Sequence, residues 1–287
     1  MATQPELIMG TAQLTTDYGI TRPSNSSSSS DEALELLRTA HDLGIRTLDT
    51  APAYGDAESR IGECTEQFTI HTKLESGRDE LESLSDTLAR LNVREVDLLY
   101  VHDVGAFERD PYKTVGRLEQ CLSHGANAVA VSIYTPEQME IALTIESVSA
   151  IQFPLNVLDR RFSRGLLDRA KCNGYRCIAR SAFLQGVLLS SAEDLRPEVS
   201  HLKDAVKAFR SVAKELEVSP LTAALGWVTS HAEIDGVIVG ISTMSELREV
   251  HAAWLEASSL SADAVQEMEG RVPQPDGIDP RTWGSRG

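Results

Sequence analysis

Four polar residues, Asp49, Tyr54, Lys73 and His102, stand at or just past the ends of strand-like runs, in the strings TLDTAPAYGD, TIHTK and LLYVHD. A phenol, an amine and an imidazole delivered by successive strand ends can converge on one small substrate. A free tyrosine titrates at about 10 and gives up its proton too reluctantly for fast general-acid work at neutral pH. A neighbouring lysine ammonium favours the phenolate and so eases that transfer. A carboxylate beside the lysine holds its charge and orientation, and an imidazole opposite can hydrogen-bond the substrate oxygen and fix its position. Together these groups would protonate a carbonyl oxygen as negative charge develops on it. They supply no electrons. Taken singly, each has an ordinary explanation: Asp49 caps a turn before Thr50 and Pro52, Tyr54 packs, Lys73 is solvated, and His102 is structural. Their conjunction on three consecutive strands is what points to chemistry.

The elements that must position them alternate along the chain. Short apolar runs at 7–10, 46–49, 68–73, 96–102, 128–133, 150–155, 176–182 and 236–241 read as strands. Most are continuous rather than alternating, as expected for strands buried on both faces. Helical spacing appears between them, in Ala33, Leu36, Leu37, Ala40 and Leu43, then in Leu81, Leu84, Leu88 and Leu91, and later in Leu202, Val206, Phe209, Val212 and Leu216. Ser29 with Glu32 makes a candidate capping box, and Gly44 supplies a stop. Asp110-Pro111, Thr135-Pro136 and Ser219-Pro220 each place a cap residue before a proline at the first helical position. Strands alternating with helices imply right-handed crossovers and a parallel sheet. Eight such repeats fit an α/β fold closed as a single-domain (β/α)8 TIM barrel better than an open doubly wound sheet. No G-x-G-x-x-G follows an early strand; the first leads instead into GTAQLTTDYG. We expect one barrel domain over 1–272 and an irregular tail over 273–287, with Trp283 either folded over the barrel mouth or unordered. Ser26–Ser30 reads as a flexible surface loop, and the loops after strands four and seven read as short, leaving an open pocket.

Composition narrows the function classes. With 27 Lys+Arg against 43 Asp+Glu the formal net charge is −16, which repels nucleic acid and anionic membrane unless a basic patch intervenes. The segment MATQPELIMG shows no basic stretch leading into an apolar one, and no run reaches the roughly 18 apolar residues of a membrane span. Cys64, Cys121, Cys172 and Cys177 form no CxxC pair and no metal-ligand spacing. They read as buried, reduced thiols of a cytoplasmic protein with no resident metal. Oligomeric state is not legible.

DTAPAYGDAESRIGE at 49–63 resembles the Asp-to-Tyr signature of the aldo-keto reductases, including the glycine after Tyr54 and a glutamate a few residues on. TK at 72–73 and the His102 strand are similar to that family's lysine and histidine strands. IQFPLN at 151–156, SAFLQGVLL at 181–189 and GVIVGISTMSEL at 236–247 resemble its cofactor segments. The resemblance implies hydride transfer from a nicotinamide cofactor, bound extended across the barrel mouth, to a small aldehyde or ketone. It implies Tyr54 as proton donor, Lys73 and Asp49 as its tuning pair, and His102 as the group orienting the carbonyl. Ser132 and Gln152 match positions that hold the carboxamide. Ser181 and Gly186 fall in the pyrophosphate loop, and Gly240, Ser242, Thr243 and Glu246 fall at the adenosine end.

Three departures from that pattern stand out. Ile133 replaces an asparagine common after the serine. Arg180 stands where an aromatic ring commonly stacks on nicotinamide; a guanidinium can stack there too, or pair with an anionic substrate. Ser242 replaces a common arginine, while Glu246 would repel a 2′-phosphate if it pointed inward and Arg248 lies nearby. NADP(H), the usual cofactor of the family, is kept ahead of NAD(H). Arg160 and Arg161, with Arg180, hint at an anionic or polyhydroxylated substrate. Two rival functions remain open: a barrel lyase or aldolase using Lys73 as a Schiff-base nucleophile, and a cofactor-sensing regulatory subunit without turnover.

Overall fold

A computed structural model describes residues 4–15, 30–75, 77–162 and 164–283. Eight strands, β1 (Glu6–Gly10), β2 (Thr47–Asp49), β3 (Thr69–Lys73), β4 (Val96–Val101), β5 (Ala126–Ser132), β6 (Val148–Pro154), β7 (Arg176–Arg180) and β8 (Gly236–Gly240), close into one parallel barrel in sequence order. β8 pairs back onto β1, so the sheet has no free edge. This is the (β/α)8 TIM barrel expected from the repeat pattern, and every expected strand is present within two residues at each end.

Among the described residues eleven α-helices accompany the strands: α1 (Ser30–Asp42), α2 (Ala57–Ile61), α3 (Glu80–Leu91), α4 (Val104–Arg109), α5 (Pro111–Glu119), α6 (Pro136–Ala142), α7 (Arg164–Cys172), α8 (Lys203–Glu215), α9 (Pro220–Thr229), α10 (Met244–Ala257) and α11 (Ala262–Arg271). Their starts follow from cap chemistry. Asp110 accepts from the Lys113 N–H, Ser219 from Thr222, and Thr135 forms a reciprocal capping box with Gln138. Gly44 ends the first helical segment in the left-handed region at φ 93°. Ser29 and the Ser26–Ser29 run lie outside the described residues.

Strand pleating divides the core in two. Leu48, Leu99, Val129 and Ile151 face outward and pack in one cluster with helix residues such as Leu36, Leu84 and Leu118. Tyr100 faces inward, with Leu98, Ala130 and Ala150 as its apolar neighbours. Two alanines thus leave room for one large ring inside the barrel. At the lower end Asp97 accepts from His71 Nε2 at 3.2 Å and from Arg176 Nη1 at 2.8 Å. The bond from His71 and the Arg176 guanidinium together pull the Asp97 carboxyl down to about 2.

Two expectations are corrected. The segments after β4 and β7 are not short: α4 is inserted after β4, and residues 181–202 intervene between β7 and α8 with two 3-10 turns, Leu184–Leu189 and Pro197–Leu202. Cys172 is exposed, whereas Cys121 and Cys177 are buried and Cys64 is half-buried. The tail is packed as far as Trp283, which is 6% exposed and donates its indole N–H to the Gly277 carbonyl at 2.8 Å. His201 also bonds that carbonyl, so the tail rests on the segment after β7.

Candidate active site

The parallel ladders put the polar ends of adjacent strands side by side. Gly10 aligns with Asp49, Lys73 with Tyr100, Ser132 with Gln152, and Gly240 with Gly10. At the carboxyl end of this ring Lys73 Nζ donates to Asp49 Oδ1 at 2.7 Å and to the Thr50 carbonyl at 3.0 Å. Gln152 Nε2 donates to Asp49 Oδ2 at 2.9 Å, and Ser132 Oγ donates to Gln152 Oε1 at 2.9 Å. Asp49 is 4% exposed and Lys73 2%, so the ion pair is sealed from water. Such a pair persists in a barrel interior only when its remaining donors and acceptors are satisfied, and here Thr50 and Gln152 do that.

Tyr54 lies above the pair, with Lys73 Nζ 5.3 Å from its ring centroid and 5.7 Å from that of Tyr100 below. Burial alone would drive Lys73 towards the neutral amine. The Asp49 charge, then Tyr54 and the hydrogen bonds to both, more than reverse this, and its pKa ends above the usual lysine value. His102 shows the opposite outcome. Burial, reinforced by the Lys73 charge, pulls it down to about 4, with Arg180 acting in the same direction and Asp49 and Asp103 opposing. It is therefore a neutral imidazole at neutral pH. Its ring makes no hydrogen bond among the described residues and is half-buried.

Local structure explains how Tyr54 is held. The Thr15 hydroxyl and the Ala57 N–H both donate to the Tyr54 carbonyl. Glu58, on α2, is 1% exposed; it accepts from Thr72 Oγ1 at 3.1 Å and from Arg90 Nε at 2.8 Å. Burial raises the Glu58 pKa while Arg90 opposes the shift. This carboxylate ties the loop of Tyr54 to the residue preceding Lys73, fixing one group relative to the other.

A cleft of about 420 Å³ opens beside Tyr54, Asp49 and Gln152. It runs between Gly10–Gln13 and the segment after β7 to Gly240, Glu246 and Glu249. Arg180, Ser181 and Gly186 line it. Its wall after β7 carries an unusual backbone: Ser181, Leu184 and Gln185 have φ of 59°, 48° and 53°, and Gly186 has φ 91°. Left-handed non-glycine residues are costly and cluster at functional sites, and Gly186 meets that geometry without a Cβ penalty.

The nine residues assigned to cofactor binding thus divide. Gln152, Arg180, Ser181, Gly186, Gly240 and Glu246 line the cleft. Ser132 sits behind Gln152, orienting its amide. Ser242 and Thr243 do not line it; they build the start of α10. Thr243 Oγ1 accepts from the Glu246 N–H at 3.2 Å, while Glu246 Oε2 accepts from the Ser242 N–H at 2.9 Å and its hydroxyl at 2.8 Å. Three residues went unread in the sequence. Tyr134 is stacked between Arg180 (4.2 Å) and Arg281 (3.9 Å), and Glu249 joins Glu246 at the cleft wall. Nothing short-range joins Tyr134 to Arg281; Glu249 was legible only as one turn beyond Glu246 on a helix.

The chain matches the model of the aldo/keto reductase family over residues 6–271. It belongs to that family. It is 27% identical over 266 residues to a 6-dehydroglucose reductase of Novosphingobium aromaticivorans, covering 81% of this chain and 83% of the relative. It is 27% identical over 269 residues to an L-glyceraldehyde 3-phosphate reductase of Escherichia coli O157:H7, covering 75% and 76%. The fold is similar to that of an aldo-keto reductase from Bacillus halodurans in its holo form, with TM-score 0.73 and 20% identity over 93% of this chain and 92% of the other. Aldo-keto reductases are oxidoreductases that use nicotinamide cofactors, and this chain is an enzyme of that kind.

Proposed function

We propose that this aldo-keto reductase reduces a small aldehyde or ketone, sugar-derived carbonyls included, to the alcohol, with Tyr54 as general acid. The observation that carries the reading is the sealed Lys73–Asp49 pair, its ammonium 5.3 Å from the Tyr54 ring centroid. A bound nicotinamide dinucleotide would supply the hydride. The chain's own groups handle the proton. Tyr54 donates to the carbonyl oxygen as it gains charge, and the Lys73 ammonium stabilises the phenolate left behind. Asp49 keeps that ammonium charged, Gln152 and Ser132 keep Asp49 in place, and neutral His102 is free to hydrogen-bond the substrate oxygen.

The cleft suits an extended dinucleotide, being long, partly apolar and floored at one end by the proton-donating group. Gln152, Ser181, Gly186 and Gly240 would hold it. The sequence reading kept NADP(H) ahead of NAD(H); the placement of Glu246 reverses that order in our proposal. The far end of the cleft carries Glu246 and Glu249, whereas Arg248 is exposed and does not line it. Two carboxylates there oppose a 2′-phosphate and can accept from a ribose diol. One similar protein, 22% identical over 285 residues, is an NADH-specific methylglyoxal reductase of Escherichia coli K12. The Schiff-base alternative draws no support, because Lys73 is held protonated and a nucleophilic amine must be neutral.

The deciding experiment is Tyr54→Phe, with cofactor affinity followed by fluorescence titration using NADH and NADPH separately. Carbonyl reduction should fall roughly 10²- to 10⁴-fold while cofactor affinity stays near the parent value. Turnover equal to the parent's would refute Tyr54 as the acid. Cofactor binding without turnover on any carbonyl would instead favour a sensing role.

A further inference from the structure

We propose that Arg180 is an anion-binding element of the substrate site, and that the preferred substrates are small aldehydes or ketones carrying a carboxylate or phosphate group. The proposal rests on the carbonyl reduction put forward above and specifies its substrate class.

The charge of Arg180 stands apart from its neighbours'. Arg161 is bound at both ends of its fork by Asp159, with 2.7 Å to each carboxylate oxygen. Arg281 is bound by Asp279, and Arg176 by Asp97. Arg160 is spent on the carbonyls of Glu269 and Val272, where it finishes α11. Among the described residues Arg180 meets neutral acceptors alone: Nη1 donates to Ser181 Oγ at 3.3 Å, and Nη2 to the Ile133 carbonyl at 3.0 Å. Among the described residues no carboxylate hydrogen-bonds it. Asp49, the acid at its end of the cleft, is already engaged by Lys73 and Gln152. In a chain of net charge −16, a half-buried arginine with no carboxylate partner among the described residues is unusual, and an oxyanion from outside would complete it.

Position and rigidity point the same way. Arg180 lines the cleft that holds Tyr54 and Asp49, and its charge reaches the His102 imidazole. Its side chain extends to the end of β5, towards Ile133 and Tyr134, and not towards Glu246 at the far end. The guanidinium carbon lies 4.2 Å from the Tyr134 ring centroid, and Arg281 braces the same ring at 3.9 Å. A stacked, planar donor loses little freedom on binding, and its fork matches a carboxylate or phosphate where an ammonium does not.

The test uses pairs that differ in one charge: succinic semialdehyde against butanal, and glyceraldehyde 3-phosphate against glyceraldehyde. The full-length enzyme should favour the anionic member of at least one pair by roughly 10- to 100-fold in kcat/KM, the range of a charge-assisted hydrogen bond. Preference in one pair alone identifies carboxylate or phosphate as the matching group. Arg180→Gln should collapse the anionic-to-neutral ratio towards one, chiefly through KM, and Arg180→Lys should keep part of it. Higher salt should narrow the ratio in the parent. Circular dichroism and the Kd for NADH report whether each variant is folded and binds cofactor; if Arg180→Gln does not fold, the parent ratios and Arg180→Lys decide. Equal kcat/KM within both pairs overturns the proposal, as does Arg180→Gln lowering both members alike with the ratio intact. No turnover of any of the four compounds sinks the reductase reading itself.

Discussion

The two ends of the cleft each hold a hydrogen-bonded carboxylate, yet the partners the described residues supply differ in kind. Asp49 accepts from an ammonium and an amide; Glu246 accepts from a backbone N–H and a hydroxyl. The first is neutralised and buried at 4% exposure. The second lines the cleft wall, as does Glu249. Among the described residues the cleft is therefore polarised, with Lys73 and Arg180 at the Tyr54 end and Glu246 and Glu249 at the other. A carboxylate paired with a buried ammonium is a device for holding that neighbour charged, whereas one on a cleft wall bears on what approaches.

The contrast can be broken most severely at the reacting end. Lys73→Met removes the charge proposed to stabilise the phenolate and leaves the buried Asp49 without its cation. We expect kcat/KM for carbonyl reduction to fall roughly 10³-fold, and stability to fall by about 3–5 kcal/mol. The double variant Lys73→Met/Asp49→Asn should recover much of that stability and none of the activity. Denaturant melts together with steady-state rates separate the two losses. Recovery of activity in the double variant would show that Lys73 matters only as a counter-ion.

Burial works against the charged form of both His102 and Lys73, yet the outcomes are opposite, and this gives a pH test. The folded imidazole titrates at about 4, below the usual 6.5. Between those values the unfolded chain binds a proton that the folded chain refuses. The contribution of His102 to stability is thus complete above pH 6.5 and is lost as pH falls towards 4, by up to about 3 kcal/mol. His102→Asn should flatten this part of the stability profile, measured by urea melts from pH 7 to pH 4. An unaltered slope would mean that the imidazole is solvated and protonates normally.

Much of the reacting end was legible from residue types, because each of its groups sits at a strand terminus and barrel topology brings strand termini together. Asp49 and Lys73 needed no knowledge of side-chain direction beyond strand alternation, whereas Gln152 was reached only through the family resemblance and its bond to Asp49 was not foreseen. The far end was readable only as alternatives. Whether Glu246 faces the cleft depends on the cap at Thr243, which fixes the helix start and so the rotation of α10. Arg180 was recognised as a departure, but its stacking on Tyr134 and the brace from Arg281 depend on a tail packed from the far end of the chain. The segment after β7 was misjudged as short because 3-10 turns have no apolar period to reveal them. α2 is equally silent, since five residues are too few for a helical repeat.

At the far end, Glu246→Gln removes charge without removing the acceptor for Ser242. We expect the ratio of the Kd for NADPH to that for NADH to fall by roughly tenfold, the worth of about 1.4 kcal/mol of repulsion. Glu246→Arg should move it further in the same direction. Fluorescence titration of each cofactor at two salt concentrations reads the effect, which should shrink with salt. A ratio unmoved by either substitution would place the 2′-position away from this carboxylate and undo the polarised reading of the cleft.

The smallest effect separates the geometry of that end from its charge. Thr243 accepts from the Glu246 N–H and starts α10, while the Glu246 carboxylate is held independently by Ser242. Thr243→Ala deletes the cap bond alone and should cost about 1 kcal/mol of stability. If the carboxylate is positioned by Ser242, the preference between NADH and NADPH should survive this change, since the helix that carries Glu246 is also held by buried Leu247, Val250 and Trp254. If the preference instead collapses along with the cap, the turn of α10 is what aims the carboxylate, and cofactor choice at this end is a property of helix rotation and only secondarily of charge.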